Sequence, residues 1–347
     1  MAKIQAVDFF CSGGGMTCGL RQAGINVIAG IDSDPTCQDT YEKNNPGSRF
    51  ILADVFKLKE KDLQKKIGIK KNDKNLILIG CSPCQFWSVI RTDKKKSEKS
   101  KNLLIEFKRF VDYFKPGYVL VENVPGILSN RKKSGLDKFV LSLEEKGYAV
   151  HCEIVNMSDY GVPQSRKRFS LIATRVSKNK ISLKKKVAKK RLVKDVIGVE
   201  NGFARVKPGH KDKTFFNHSV AGLSEKNLNR LKQTPKNGGS WLDWAKNKNL
   251  KRKTYRGEGF KDNYGRMSWN KPAPTITTRF FSISNGRFAH PVENRAISLR
   301  EGATLQTFPK KYVFYSNTTE NVARMIGNAV PPLFAKQLGQ VILNSEK

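Results

Sequence analysis

Three short clusters carry side chains suited to covalent and acid–base chemistry. Gly80-Cys81-Ser82-Pro83-Cys84-Gln85 follows the apolar run 76–79, where a βα loop presents side chains at a sheet edge and a cysteine could act as nucleophile. A zinc or redox Cys-x-x-Cys is the competing reading. No second pair stands at ligand spacing and the four histidines are scattered, so no metal is expected. Glu122-Asn123-Val124-Pro125-Gly126 follows the apolar run 118–121, and a glutamate ending so apolar a strand is costly unless it is paired or functional. Gln164-Ser165-Arg166-Lys167-Arg168 precedes a further apolar run. In an extended segment Arg166 and Arg168 would face the same way, which suits phosphate or a carbonyl oxygen, or equally a solvated edge.

A fourth cluster has the composition of a nucleoside site. The first apolar run leads through Phe10 into Cys11-Ser12-Gly13-Gly14-Gly15, and a second ends on Asp32. Glycines let backbone approach a ligand closely, and a carboxylate at the next strand end can accept from both ribose hydroxyls. The GxGxxG spacing of a dinucleotide site is missing, and a tight turn reads the same way. Asp54, after Ile51-Leu52-Ala53, is either a partner for an adenine amino group or an ordinary strand-end cap.

An α/β fold must position these clusters. Short apolar runs at 4–10, 26–31, 75–80, 118–123 and 169–174 alternate with segments 103–114 and 136–146, whose apolar residues recur at helical spacing, as crossover helices on a mostly parallel sheet would. From about residue 177 to 269 this alternation stops, which suggests a second, smaller domain. A closing helix is expected at 332–343, packed back onto the first. The charge is strongly basic, 65 Lys+Arg against 30 Asp+Glu for a formal net charge of +35. A lysine-rich genome would spread such charge evenly. Instead, residues 178–194 hold nine basic and no acidic residues, and 91–101 hold six basic against two acidic, so a polyanionic partner is favoured. No apolar run approaches the roughly 20 residues that cross a bilayer, and residues 1–10 lack the features of a signal peptide. Six cysteines in a chain this long suggest free thiols, so a soluble cytoplasmic protein without membrane association is expected.

The blocks DFFCSGGGMTCGL (8–20), GCSPCQFWS (80–88), ENVPG (122–126), YGVPQSRKRF (160–169), PAPTITTR (272–279), REGATLQTFP (300–309) and GNAVPP (327–332) follow in this order. Together they resemble the DNA cytosine-5 methyltransferases, especially those of bacterial type II restriction-modification systems. The likeness spans nearly the whole chain outside the variable domain. It implies a Rossmann-like S-adenosylmethionine-dependent methyltransferase domain (1–176), a smaller inserted target-recognition domain (177–271), and a junction returning to the catalytic domain (272–347). Cofactor contacts implied position by position are Phe10 on adenine, Ser12, Gly13, Gly14 and Gly15 around the methionine moiety, and Asp32 on the ribose. Asp54 and Val55 would meet the adenine edge, and Pro83, Leu103, Asn328, Ala329 and Val330 would complete the pocket. Ser12, Thr304 and Thr307 depart from the family, which often has glycine, arginine and glycine there.

The same resemblance implies the chemistry. Cys84 would add to cytosine C6, Glu122 would donate to N3, and Arg168, supported by Arg166, would hold O2 of a base flipped out of the duplex beneath a mobile 91–101 loop. Gln85, Ser88 and Arg91, with Gly238-Gly239-Ser240, are the expected contacts to double-stranded DNA. Trp241 and Trp244 suit the small domain's core equally well. The expected protein is a monomer, and a cognate restriction endonuclease would act on the same site without being bound. A tRNA cytosine-5 methyltransferase shares the catalytic blocks, but the inserted domain and Gln85-Phe86-Trp87-Ser88 look more like the DNA enzymes. A catalytically silent DNA-binding module is the alternative of another class, disfavoured by intact Cys84, Glu122 and Arg168.

Overall fold

The computed structural model describes residues 4–82, 102–183, 187–244, 247, 249–250 and 262–345. Its contacts divide the chain into two compact units, one formed by residues 1–157, 167–186 and 330–347 and the other by 158–166 and 187–329. Residues 272–329 thus fold with 187–271, and 158–166 join them, where the sequence suggested divisions at 176/177 and 271/272.

The first unit is built on a seven-stranded sheet of order β3-β2-β1-β4-β5-β7-β6. Its strands are β1 (Gln5–Phe9), β2 (Asn26–Asp32), β3 (Arg49–Leu52), β4 (Leu76–Gly80), β5 (Tyr118–Asn123), β6 (Ala149–Asn156) and β7 (Lys167–Thr174). Helices α1 (Gly15–Ala23), α2 (Gln38–Asn44), α3 (Glu60–Ile67) and α4 (Leu103–Phe114) connect successive strands from β1 to β5, and all four pairings among these strands are parallel. Crossover helices make that geometry available. Helix α5 (Leu136–Glu145) leads into β6. No crossover helix separates β6 from β7, and β7 lies antiparallel between β5 and β6. The sheet is therefore mixed but mostly parallel, as expected, with the antiparallel pairings confined to β7. Strand β6 escaped the sequence reading because its interior, His151-Cys152-Glu153, is only partly buried.

Because β1 pairs with both β2 and β4, the strand order reverses there, and a crevice opens at the carboxyl ends where ligands of such sheets bind. Aromatic packing fixes the floor beneath it. Helix α4 buries Leu103, Leu104, Phe107, Phe110, Val111 and Phe114 on one face, and Phe9 at the end of β1 meets the Phe107 and Phe110 rings at 5.3 and 4.8 Å. Each such phenylalanine stabilises the fold by about 1.5–3 kcal/mol. Gly80 permits the approach, since a Cβ there would stand 2.6 Å from the Phe107 ring.

The second unit is held differently. Among its described residues the regular elements are helices α6 (Glu225–Gln233), α7 (Leu299–Leu305) and α8 (Thr319–Asn328), short 3-10 turns and isolated bridges. Much backbone therefore lacks a ladder partner, and buried arginines supply donors. Arg266 gives hydrogen bonds to the carbonyls of Leu231, Thr234, His290 and Glu293, and Arg300 to those of Phe216 and Tyr312. Arg295 grips Glu301 through two bonds of 2.7 and 2.9 Å. Burial alone would push the Glu301 carboxyl up, but the hydrogen bonds and charge of Arg295 bring it to about 2. Thr307, where the family often has glycine, lies in left-handed backbone at φ 65°, a strained setting for a β-branched residue.

The chain returns to the first unit as α9 (Pro332–Ser345), which packs along α1. The contact depends on small residues. A Cβ at Gly19 would fall 2.2 Å from the Pro332 carbonyl oxygen and 2.5 Å from the Ala335 methyl, and one at Gly339 would fall 2.8 Å from Ala23. Gly19→Ala is expected to destabilise the protein by about 1–3 kcal/mol through overpacking, read as a lower midpoint in thermal unfolding. An unchanged midpoint would mean that α1 and α9 are not in close contact.

Candidate active site

The β1–α1 loop folds over the carboxyl end of the sheet through alternating left-handed residues, Phe10 at φ 64°, Ser12 at 46° and Gly14 at 82°. Non-glycine residues there are held at a cost of about 1–3 kcal/mol each and persist only where the surroundings fix them. The fixing bonds are explicit. Phe10 and Cys11 N–H groups both donate to the Ile31 carbonyl, at 2.7 and 3.1 Å, and the Ser12 N–H donates to Asp32 Oδ2 at 2.8 Å. Asp32 Oδ1 accepts from the Asp34 N–H at 3.0 Å. Burial holds the Asp32 carboxyl above its ordinary value, against the pull of these N–H groups. With the Ser33 N–H acting on it as well, the carboxylate still has acceptor capacity left for a ribose hydroxyl.

A polar chain lies beneath this loop. Asp8 is fully buried and its Oδ2 accepts from Thr17 Oγ1 at 2.8 Å. Thr17 Oγ1 also meets the Tyr41 hydroxyl at 3.0 Å, which in turn meets Ser48 Oγ at 2.7 Å. Asp8 Oδ1 has no hydrogen-bond partner. Burial first, and the charge of Asp32 in addition, push the Asp8 carboxyl up to about 7. Composition and spacing gave no sign of this chain.

Asp54, Val55 and Leu103, also expected at the cofactor, follow strands at the same sheet end. Asp54 follows β3, exposed, with Oδ1 accepting from the Phe56 N–H at 3.0 Å. Val55 is buried and Leu103 opens α4. The Val55 carbonyl is held by Arg109, which also reaches the Leu58 carbonyl at 2.7 Å and forms ion pairs with Glu60 and Glu106. A carboxylate with free lone pairs, a half-buried aromatic ring and a glycine-rich turn fit an adenosyl group. Asn328 ends α8 and Ala329 follows it in the second unit, while Val330, buried, belongs to the first.

Glu122 ends the wholly buried strand β5 and is itself only 8% exposed. Its Oε1 lies 3.1 Å from Arg168 Nε, but the donor direction does not make this a hydrogen bond and Oε1 has no other partner. Strand register explains the meeting. Glu122 pairs with Ser170 across the antiparallel β5–β7 ladder, and Arg168, two residues along, shares that face as a diagonal neighbour within reach of a long side chain. Beside them Asn123 donates to Ser82 Oγ at 3.2 Å, tying the end of β5 to the segment leaving β4. The Cys81 thiol is pushed well above the ordinary range, by burial first and then by the charges of Glu122 and Asp8. Such a thiol stays protonated and is a poor nucleophile. Pro83, Cys84, Gln85, Ser88 and Arg91, with the 91–101 loop, lie outside the described residues.

Arg166 corrects the sequence reading. It was expected to support Arg168, but β7 begins at Lys167 and the alternation does not extend back to 166. The Arg166 guanidinium instead donates to the carbonyls of Ile276, Gly327 and Ala329 in the second unit. Its neighbour Gln164, fully buried, accepts from the Ile276 N–H at 2.8 Å and donates to Gln306 Oε1 at 2.8 Å. Gly238-Gly239-Ser240, expected as a close-approach loop to DNA, is half-buried and tied into its own unit. The Gly238 and Gly239 carbonyls accept from Arg287, the Gly239 carbonyl also accepts from the Arg266 N–H, and the Ser240 N–H donates to Asp243. Trp244 is core, its Nε1 donating to Thr234 Oγ1 at 2.9 Å.

A family model described as C-5 cytosine-specific DNA methylase matches residues 4–344. The chain belongs to that family. The Type II methylase M.HgiDII of Herpetosiphon aurantiacus is 38% identical over 346 residues, covering 98% of this chain and 94% of that one. The Type II methyltransferase M.DdeI of Desulfomicrobium norvegicum is 30% identical over 378 residues, covering 98% and 88%. A solved structure described as a DNA modification methyltransferase encoded within an E. coli prophage matches with a TM-score of 0.74 at 22% identity, over 99% of both chains, a likeness of fold. The methylase has no helix among its described residues long and apolar enough to cross a membrane.

The raised Asp8 pKa has a consequence for stability. In the unfolded chain this carboxyl has its ordinary value of 3.8 and in the folded methylase about 7. Its protonated form therefore favours the fold fully below the unfolded value, and that contribution is lost as pH rises through the folded one, by about 4 kcal/mol at most. Urea unfolding at pH 5 and pH 8 is expected to show a larger loss of stability in the wild type than in Asp8→Asn. Equal losses would mean that Asp8 is ionised throughout.

Proposed function

We propose that the methylase transfers a methyl group from S-adenosylmethionine to C5 of a flipped-out cytosine in a specific duplex DNA sequence, through a covalent bond from Cys84 to C6, as the modification enzyme of a restriction-modification system. The observation that carries this reading is the Glu122–Arg168 pair, 3.1 Å apart, at the strand end next to the segment that leads to Cys84. A protonated Cys81 beside them leaves Cys84 as the nucleophile of the Cys-x-x-Cys cluster.

Bound S-adenosylmethionine supplies an electrophilic methyl group. Asp32 would accept from its ribose, Phe10 would stack on its adenine, Asp54 and Val55 would meet the adenine edge, and the loop from Ser12 to Gly15 would surround the methionine moiety. Pro83, Leu103, Asn328, Ala329 and Val330 are assigned to the same pocket by family likeness. Cytosine C5 is too weak a nucleophile to take the methyl unaided. The Cys84 thiolate adds to C6, which places negative charge in the ring. Arg168 moves its guanidinium to O2, and Glu122, no longer facing its cation, carries the proton that it donates to N3 as that charge develops. Transfer of the methyl to C5 would release S-adenosylhomocysteine; loss of the C5 proton to solvent, return of the N3 proton to Glu122 and departure of the thiolate from C6 would then give 5-methylcytosine and free enzyme. Arg166, through the carbonyls it holds, acts as a positioning residue rather than a contact to the base.

Duplex DNA suits a chain of net charge +35, since phosphate neutralisation drives such binding. Gln85, Ser88 and Arg91 would contact DNA next to the nucleophile, with target recognition in 177–271. The methylase is proposed to act as a cytoplasmic monomer, with an endonuclease of the same specificity acting separately. Cys84→Ala is expected to abolish transfer of labelled methyl to duplex DNA while DNA binding survives, because phosphate and base contacts come largely from other residues. Cys81→Ala is expected to retain transfer. The reverse pattern would reassign the nucleophile, and incorporation into tRNA alone would replace DNA as the substrate.

A further inference from the structure

Two adjacent phenylalanines in the second unit have opposite fates. Phe216 turns inward, its ring 5.6 Å from that of Phe203 and 5.4 Å from the Arg300 guanidinium. Phe215 turns outward and is 72% exposed, with the Tyr315 ring, tilted by 54° and 6.1 Å away between centroids, as an aromatic neighbour. Exposing a phenylalanine to this extent forfeits most of the about 1.5–3 kcal/mol that its burial would contribute.

The loop that carries Phe215 is rigidly held. Asp212 accepts from the Thr214 and His218 N–H groups, both at 2.8 Å, and the Asp212 N–H donates to Ser219 Oγ at 3.0 Å. From below, Arg300 donates to the Phe216 and Phe215 carbonyls, while the Arg300 N–H donates to the Asn217 carbonyl at 3.2 Å and the Leu299 N–H to that of Ser219 at 3.0 Å. Asn217 takes the left-handed turn at φ 58°. His218 Nδ1 closes the base of the loop on Ser298 at 2.8 Å. An exposed ring on a mobile loop would lose entropy on binding; a ring presented this way is already ordered. The flanking charges are almost all positive. Arg205, Lys207, Lys211 and Lys213 are exposed, and Lys310 and Lys311, exposed as well, follow α7 in the same unit.

We infer that Phe215 is an apolar DNA contact of the methylase, its ring inserting at a base step of the duplex while Lys211 and Lys213 of the same loop bind phosphates. The inference rests on duplex DNA being the substrate. A pinned, exposed ring flanked by cations suits an apolar wedge that enters between base pairs edged by phosphates. Base stacking on an aromatic side chain accounts for roughly 5- to 150-fold in affinity by alanine substitution.

Binding of the full chain to a cognate duplex, titrated over a range of salt concentrations, tests this. Phe215→Ala is expected to weaken binding at least fivefold without changing the slope of log Kd against log salt, because no counterion is released by an apolar contact. Lys213→Ala is expected to reduce that slope by about one. Phe215→Trp should bind as the wild type does. If Phe215→Ala binds like the wild type, or if its loss appears as a reduced salt slope, the inference is overturned. Equal weakening in Phe215→Trp would overturn it too, since the loop rather than the ring would then be at fault. A wild type that neither binds nor methylates duplex DNA would instead refute the proposed function.

Discussion

A carboxylate at the end of a wholly buried strand must be neutralised, and at Glu122 the facing cation is Arg168. The antiparallel end of the sheet in the first unit meets that requirement. Arg168 reaches Glu122 because β7 is inserted antiparallel beside β5, with Ser170 opposite the glutamate. A parallel sheet extended by another crossover would have placed a different residue there. The pair is close but lacks hydrogen-bond alignment. An incompletely satisfied buried acceptor is costly to leave so, and in the proposed mechanism both groups are engaged by the base, O2 accepting from the guanidinium and N3 from the protonated carboxyl.

The cofactor end is organised by a different constraint, the left-handed turns of the β1–α1 loop. Ser12 occupies one of them where the family often has glycine, and its N–H is one of the backbone donors that fix Asp32. The strain is thus set against a charge-assisted hydrogen bond, which is stronger than a neutral one. Below it, Asp8 and Thr17 link β1 to α1, and α1 is clamped in turn by α9 through Gly19. The closing helix of the chain therefore supports the loop that opens it.

Much of this was legible in the sequence where the signal was local. Apolar runs located β1, β2, β4, β5 and β7, helical spacing located α4, α5 and α9, and the residue types at strand ends located Asp32 and Glu122. The residues that escaped are those whose role depends on distant partners. Arg166 was expected to face the same way as Arg168 and to support it, yet it holds carbonyls more than a hundred residues away. Arg266, Arg295 and Arg300 contributed to a basic count that suggested DNA, although they are interior donors for a unit poor in regular structure. Composition cannot separate such arginines from phosphate ligands, because the distinction lies in burial. Phe215 and Phe216 make the same point from the apolar side.

The covalent step is the central claim, and it can be tested most directly with duplex DNA carrying 5-fluorocytosine at the target position. Once the thiolate has added to C6 and the methyl has reached C5, release requires loss of the C5 substituent as a cation, which fluorine cannot undergo. Incubation with S-adenosylmethionine should give a denaturation-resistant protein–DNA adduct that mass spectrometry maps to Cys84, and no adduct without the cofactor. An adduct on another residue, or none at a verified recognition site that is otherwise methylated, would contradict the account.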